Sequence, residues 1–214
     1  MQPEDSRPPR QVLMVHCKLP ANGDIPAREH TVTVYLPRSA GPRRSMGERI
    51  FQNNCAMCHG SDAGGGPGFP NLKDGDWLYG GAPDTVKESI TNGRMGIMPP
   101  QAPQLGGDDK VKNVVAYVRS LSGLAHDATK AGLGKPQFET ICAACHGVDG
   151  KGNPAIGAPN LTDKVWLYGS SEATIIETIT KGRNNQMPAW KEFLGDEKVH
   201  VLAAYVLSLS AGGK

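Results

Sequence analysis

The chain is poor in aromatic residues. Phe, Trp and Tyr make up 6% of its 214 residues, and hydrophobic residues of every kind only 38%. That is thin material for one large core and points to small units held by a covalent or metal staple. Long apolar runs are missing as well. No stretch approaches the roughly 18–20 residues of a membrane span, and "QVLMVHC" falls short of the roughly 7–15-residue core of a secretory leader, with no small-residue cleavage site after it. The chain as given therefore reads as soluble, with any export signal or anchor outside it. Charge of one sign is also lacking. Residues 1–44 carry seven Lys/Arg against four Asp/Glu, the rest 16 against 17, so a weakly basic extension precedes a nearly neutral body. Neither resembles a nucleic-acid surface. Strand patterning is absent from the body, and only "HTVTVYLP" (30–37) in the extension alternates.

What is plentiful is glycine (27) and proline (17), the composition of short helices separated by loops. A repeat organises them. "FQNNCAMCHG" (51–60) returns as "FETICAACHG" (138–147), "PNLKDGDWLYGG" (70–81) as "PNLTDKVWLYGS" (159–170), and "KESITNGRMGIMPP" (87–100) as "IETITKGRNNQMPA" (176–189). "DDKVKNVVAYVRSLS" (108–122) returns as "DEKVHVLAAYVLSLS" (196–210). The sequence thus divides into an irregular extension (1–44), a first unit (45–123), a linker (124–132) and a second unit (133–214). Each unit reads as helix, loop, short helix, loop, helix. Val111, Val114, Val115, Val118 and Leu121 lie at helical spacing, as do Val199, Leu202, Ala203, Val206 and Leu209. Gly47 and Gly134, with Phe51 and Phe138, would let the first helix of a unit cross the last one closely, near Tyr117 and Tyr205.

Five cysteines are an odd count. Cys17 stands alone in the extension and reads as an incidental thiol. Cys55, Cys58, Cys142 and Cys145 form two C-x-x-C pairs, each followed by histidine, His59 and His146. C-x-x-C-H is the attachment signature of c-type haem: two thiols join the vinyl groups and the next residue offers an axial nitrogen. Zinc would need a further ligand at each motif, and a thioredoxin-like pair would sit in a βαβ pattern that is missing. The expected cofactors are two covalently bound haem c groups.

A second axial ligand is sought downstream. Met98-Pro99 and Met187-Pro188 occupy matched places in the repeat, whereas Met95 is matched by Asn184. Met98 and Met187 are therefore the expected iron ligands, each read with the histidine of its own unit. Thioether ligation raises a haem's potential and closes both axial positions, which favours electron transfer over substrate binding. Trp77, Trp166, Tyr79 and Tyr168 are expected beside the haem or in the core, and Arg94 and Arg183 near a propionate or at the surface. His16, His30, His126 and His200 have no matched partners and read as surface residues.

The units resemble class I cytochromes c, an all-α fold here expected twice in tandem. In that family a proline carbonyl accepts the ring N–H of the haem histidine, a role that falls to Pro70 and Pro159. The double unit, through "NLxDxxWLYG", "TIxETIxxGRxxxMPAW" and "LGDEKVHVLAAYVLSLS", resembles the dihaem subunit of cbb3-type cytochrome c oxidases over about residues 45–210. The resemblance implies an electron-entry subunit on the periplasmic side of the bacterial inner membrane. Its donors would be soluble cytochrome c or the cytochrome bc complex, and its partners the monohaem and catalytic, oxygen-reducing subunits. The family's membrane anchor has no counterpart in residues 1–44, so attachment would run through a missing anchor or through other subunits. A free soluble dihaem carrier and a dihaem peroxidase-type enzyme are the alternative readings; matched methionines argue against the second.

Overall fold

A computed structural model describes residues 12–19, 28–35 and 46–211. The chain divides into two compact units, Met1–Ser45 and Met46–Lys214. In the first, strand β1 (Val12–Leu19) pairs antiparallel with β2 (Arg28–Tyr35), Val12 opposite Tyr35 and Leu19 opposite Arg28. The extension expected to be irregular thus contains a pair of antiparallel strands; four consecutive β-branched residues, Thr31, Val32, Thr33 and Val34, favour the extended backbone. The side chains of Cys17, His16 and His30 lie outside the described residues.

The second unit contains both repeats. Helices α1 (Met46–Asn54) and α2 (Ala56–His59) lead to a glycine-rich loop and α3 (Pro83–Asn92). Strand β3 (Arg94–Met98), the short α4 (Ala102–Leu105) and α5 (Asp108–Leu121) complete the first repeat. The second repeat runs α6 (Ala128–Gln137), a π turn (Phe138–Cys142), α7 (Ala143–His146), α8 (Glu172–Lys181), β4 (Arg183–Met187), α9 (Lys191–Leu194) and α10 (Asp196–Ala211). The expected linker 124–132 is partly helix, because the Asp127 side chain accepts the backbone N–H of Lys130 and caps α6. Pro136 in α6 has no N–H to donate, and the helix widens into the π turn just beyond it.

The architecture is mostly helical, but two features depart from an all-α tandem. First, β3 and β4 pair with each other. Arg94 lies opposite Met187, Gly96 opposite Asn185 and Met98 opposite Arg183. Neither strand has an apolar alternation that would announce it in sequence; each extended backbone is satisfied by the other.

Second, the two cores run across the repeats. In one, Phe51, Val86 and Ile90 of the first repeat pack with Leu194, Val199, Leu202, Ala203 and Val206 of the second. In the other, Phe138, Ile175 and Ile179 of the second pack with Leu105, Val111, Val114, Val115 and Val118 of the first. The close crossings follow the same exchange. A Cβ on Gly47 would lie 2.5 Å from Cβ of Tyr205, and Gly134 lies against the backbone of Asn113 and Val114. Phe51 stacks near Tyr205 with ring centres 5.7 Å apart, and Phe138 near Tyr117 at 5.2 Å.

Units 45–123 and 133–214 are therefore halves of two shared cores rather than separately packed domains. The physical reason lies in the repeat. Equivalent helices offer nearly the same contacts, so exchanging them costs little in packing, as in domain swapping between identical chains. Each five-residue strand, about 16 Å long when extended, lies where the chain passes from one core to the other.

Candidate functional site

In each repeat the C-x-x-C-H motif sits at a helix end. Cys55 N–H donates to Phe51 O at 2.7 Å, and His59 N–H to Cys55 O at 2.9 Å, so the helical path continues through the motif. That path puts Cys55, Cys58 and His59 at i, i+3 and i+4, on one helical face. Cys142, Cys145 and His146 repeat the arrangement. None of these four cysteines forms a disulfide. Cys55 and Cys142 are half-buried against the two cores, while Cys58 and Cys145 are exposed. Burial, with a smaller contribution from the neighbouring cysteine, pushes the Cys55 and Cys142 thiols up to about 11. Both are therefore neutral at physiological pH.

The histidines are oriented by the loops that follow. His59 Nδ1 donates to Pro70 O at 3.0 Å, and His146 Nδ1 to Pro159 O at 3.1 Å. A carbonyl only accepts, so the proton lies on Nδ1 and the Nε2 lone pair is left for a metal. Burial holds the His146 imidazole below its ordinary pKa, opposed in part by the Pro159 bond, and so favours the neutral, ligating form. Glycine lets each proline approach. Gly65 (φ +72°) has Pro70 C and Asn71 N 2.7 Å from where a Cβ would stand, and Gly152 (φ +82°) has Asn160 N at 2.8 Å.

The methionines are distributed as the cores are. Met187 packs on the core that contains Phe51 and borders Cys55; Met98 packs on the core that contains Phe138 and borders Cys142. Met95 points outward, 62% exposed. Trp77 adjoins the first core and Trp166 the second.

Arg94 and Arg183 are not loose surface charges. Arg94 donates from Nε to Ser89 Oγ at 2.8 Å and stacks on Tyr79, 4.6 Å from the ring centre. Arg183 donates from Nε to Thr178 Oγ1 at 3.0 Å and stacks on Tyr168 at 4.1 Å. Ser89 and Thr178 were overlooked in sequence, although the repeat matches hydroxyl to hydroxyl five residues before each arginine. Tyr168 also donates to Asn185 Oδ1. His126 and His200 are exposed.

The residues suit a haem. Trp166 Nε1 is buried without a hydrogen-bond partner, and such a donor in a native fold calls for an acceptor from a bound group; a propionate is one. Among the described residues no three His, Cys, Asp or Glu gather into a cluster that could hold a metal ion. Among the same residues no helix is long and apolar enough to cross a membrane.

Comparison with known proteins fits this geometry. The family model described as cytochrome c oxidase, cbb3-type, subunit III matches residues 43–118 and again 130–206. The chain is 55% identical over 166 residues to the cbb3-type cytochrome c oxidase subunit CcoP of Rubrivivax gelatinosus, covering 78% of this chain and 54% of that protein. It is 46% identical over 186 residues to subunit FixP of Bradyrhizobium sp. (strain ORS 278), covering 82% and 64%, and 41% identical over 178 residues to CcoP of Cereibacter sphaeroides, covering 78% and 61%. The chain thus spans between about half and two-thirds of the length of these relatives. Its paired C-x-x-C-H motifs and these matches agree, and the chain belongs to the haem c-binding subunit III family of cbb3-type cytochrome c oxidases.

Proposed function

We propose that the chain carries two covalently attached haems and serves as the electron-entry part of a cbb3-type terminal oxidase. Electrons would come from soluble cytochrome c or the cytochrome bc complex and leave towards the monohaem and oxygen-reducing subunits, on the periplasmic side of the inner membrane. The observation that carries this reading is the composition of the cores. Each has one C-x-x-C-H motif on its border, with the histidine held by a proline carbonyl, and each takes in one Met-Pro methionine.

On this reading the iron ligands would be crossed between the repeats: His59 and Met187 would hold one haem, and His146 and Met98 the other. Cys55 and Cys58 would hold one group, Cys142 and Cys145 the other. A bound haem supplies a one-electron ferric–ferrous couple. The protein's part is to fix the axial nitrogens through Pro70 and Pro159, to bring a thioether to each core, and to keep water from the iron by apolar packing. Closing both axial positions suits electron transfer and disfavours a peroxidase-type site.

Haem-count and redox measurements test this. Pyridine haemochrome analysis gives two haems per chain, and a count of one would refute it. In full-length protein with Cys142→Ser and Cys145→Ser, which carries only the group on Cys55 and Cys58, Met187→Ala lowers the potential and Met98→Ala does not. The reverse result would restore pairing within each repeat. Co-purification with membrane oxidase subunits separates the oxidase reading from a free dihaem carrier.

A further inference from the structure

The two Met-Pro segments each rest on a glycine of the opposite repeat. Gly93 ends α3 with φ 71° and ψ −175°, and Gly182 ends α8 with φ 72° and ψ −177°. This corner of backbone space is open essentially to glycine alone. What surrounds the two residues is more telling. A Cβ on Gly93 would strike Met187 O and stand 2.8 Å from Pro188 C and Ala189 N. A Cβ on Gly182 would strike Met98 O and stand 2.9 Å from Pro100 N and 3.0 Å from Pro100 Cδ. These neighbours are backbone and proline ring, not the ends of flexible side chains, so they yield only if the methionine's own main chain moves.

Each segment is held on both sides of that contact. Met187 lies opposite Arg94 in the ribbon, and three residues on Trp190 N–H donates to Ile90 O at 3.0 Å. Met98 lies opposite Arg183, and Gln101 N–H donates to Ile179 O at 2.8 Å. Between these two anchors the glycine face sets how close the methionine backbone comes to α3 or α8. Val86 and Ile90 of α3 belong to the core beside Cys55, and Ile175 and Ile179 of α8 to the core beside Cys142. The glycine therefore belongs to the repeat that supplies the histidine, and the methionine comes from the other repeat.

We propose that Gly93 and Gly182 are the positioning residues of the axial methionines: Gly93 seats Met187 and Gly182 seats Met98, each setting the depth at which the thioether enters the facing core. The assignment of a haem to each methionine rests on the crossed pairing above; the seating itself does not.

The test uses the full-length protein with both haems. In the ferrous state NMR gives one strongly upfield methyl resonance for each iron-bound methionine, and Met98→Ala and Met187→Ala assign the two. Gly93→Ala loses the Met187 resonance, keeps that of Met98, removes about half of the far-red methionine–ferric absorption, and lowers one of the two potentials. Gly182→Ala loses the Met98 resonance instead. Gly195→Ala is the control, because Gly195 (φ 77°, ψ 159°) has the same kind of backbone but nothing within 4 Å of its Cβ position. It keeps both resonances.

The proposal is overturned if Gly93→Ala and Gly182→Ala keep both resonances, if each loses the other methionine, or if Gly195→Ala behaves as they do. Each glycine variant decides by itself, so failed assembly of one leaves the other to settle the matter. Failure of the crossed pairing is distinct: it shows in the single-haem protein as a response to Met98→Ala, whichever resonance Gly93→Ala removes.

Discussion

The exchanged cores can be measured by coupling between aromatic rings. Phe51 and Phe138 are both fully buried, and each lies next to a tyrosine of the opposite repeat, Tyr205 and Tyr117. Truncating either phenylalanine to alanine should cost about 3–5 kcal/mol through lost transfer energy and a residual cavity. Phe51→Leu is the milder probe, since it keeps most of the volume. The ring centres, 5.7 Å apart and tilted at 55° for Phe51–Tyr205 and 5.2 Å apart at 59° for Phe138–Tyr117, fall in the range where such pairs contribute about 0.5–1.5 kcal/mol beyond area burial. Guanidinium unfolding of the holoprotein, followed by far-ultraviolet circular dichroism, then gives four double-mutant cycles with leucine substitutions. Phe51 with Tyr205 and Phe138 with Tyr117 should couple by about that amount. Phe51 with Tyr117 and Phe138 with Tyr205 should be additive to within about 0.5 kcal/mol. Coupling of Phe51 to Tyr117 instead of Tyr205 would refute the exchange and return the chain to two separately packed repeats.

Further outcomes follow from single sites. On the proposed ligation, Met98→Ala and Met187→Ala should each lower one haem potential in redox titration through loss of a thioether, whereas Met95→Ala should change neither, its side chain being exposed. Gly134→Ala should destabilise by about 1–3 kcal/mol, since the new Cβ meets the Asn113 backbone with no room to relax. Gly132→Ala, two residues earlier in α6 and facing open space, should stabilise by about 0.5–1 kcal/mol; denaturation midpoints compare the two. Burial, then Asp163 and Asp74, raise the Asp76 carboxyl above its ordinary pKa. A carboxyl raised in the folded state adds stability below its unfolded pKa and loses it as pH rises through the folded value. Asp76→Asn should therefore stabilise at neutral pH, by no more than about 1 kcal/mol given its partial exposure. The gain should disappear as unfolding is measured at pH values falling below the ordinary carboxylate pKa of 3.8.

Much of this protein is written in its sequence. Val111, Val114, Val115 and Val118 fall on one helical stripe, and so do Val199, Leu202, Ala203 and Val206; all eight are buried. The histidine-to-proline bonds follow from local loop geometry that each repeat carries complete. Strands β3 and β4 were not legible, because "RMGIM" and "RNNQM" have no alternating apolar pattern and their stabilisation comes from each other. Arginines 94 and 183 could be matched through the repeat, but not assigned to Tyr79 and Tyr168 until the chain was folded.

Sequence alone determined the kinds of group present: two thiol pairs, two histidines, two Met-Pro segments, and the helices that bury the apolar stripes. Tertiary structure decided which of them meet. Because the repeats are so alike, Gly47 has an equally suitable tyrosine in Tyr117 or Tyr205, and local chemistry does not distinguish the two packings. The choice lies in the extended connections at Arg94–Met98 and Arg183–Met187, which cross between the cores and satisfy each other's backbone hydrogen bonds. That non-local pairing places Met187 in the core beside Cys55 and Met98 in the core beside Cys142.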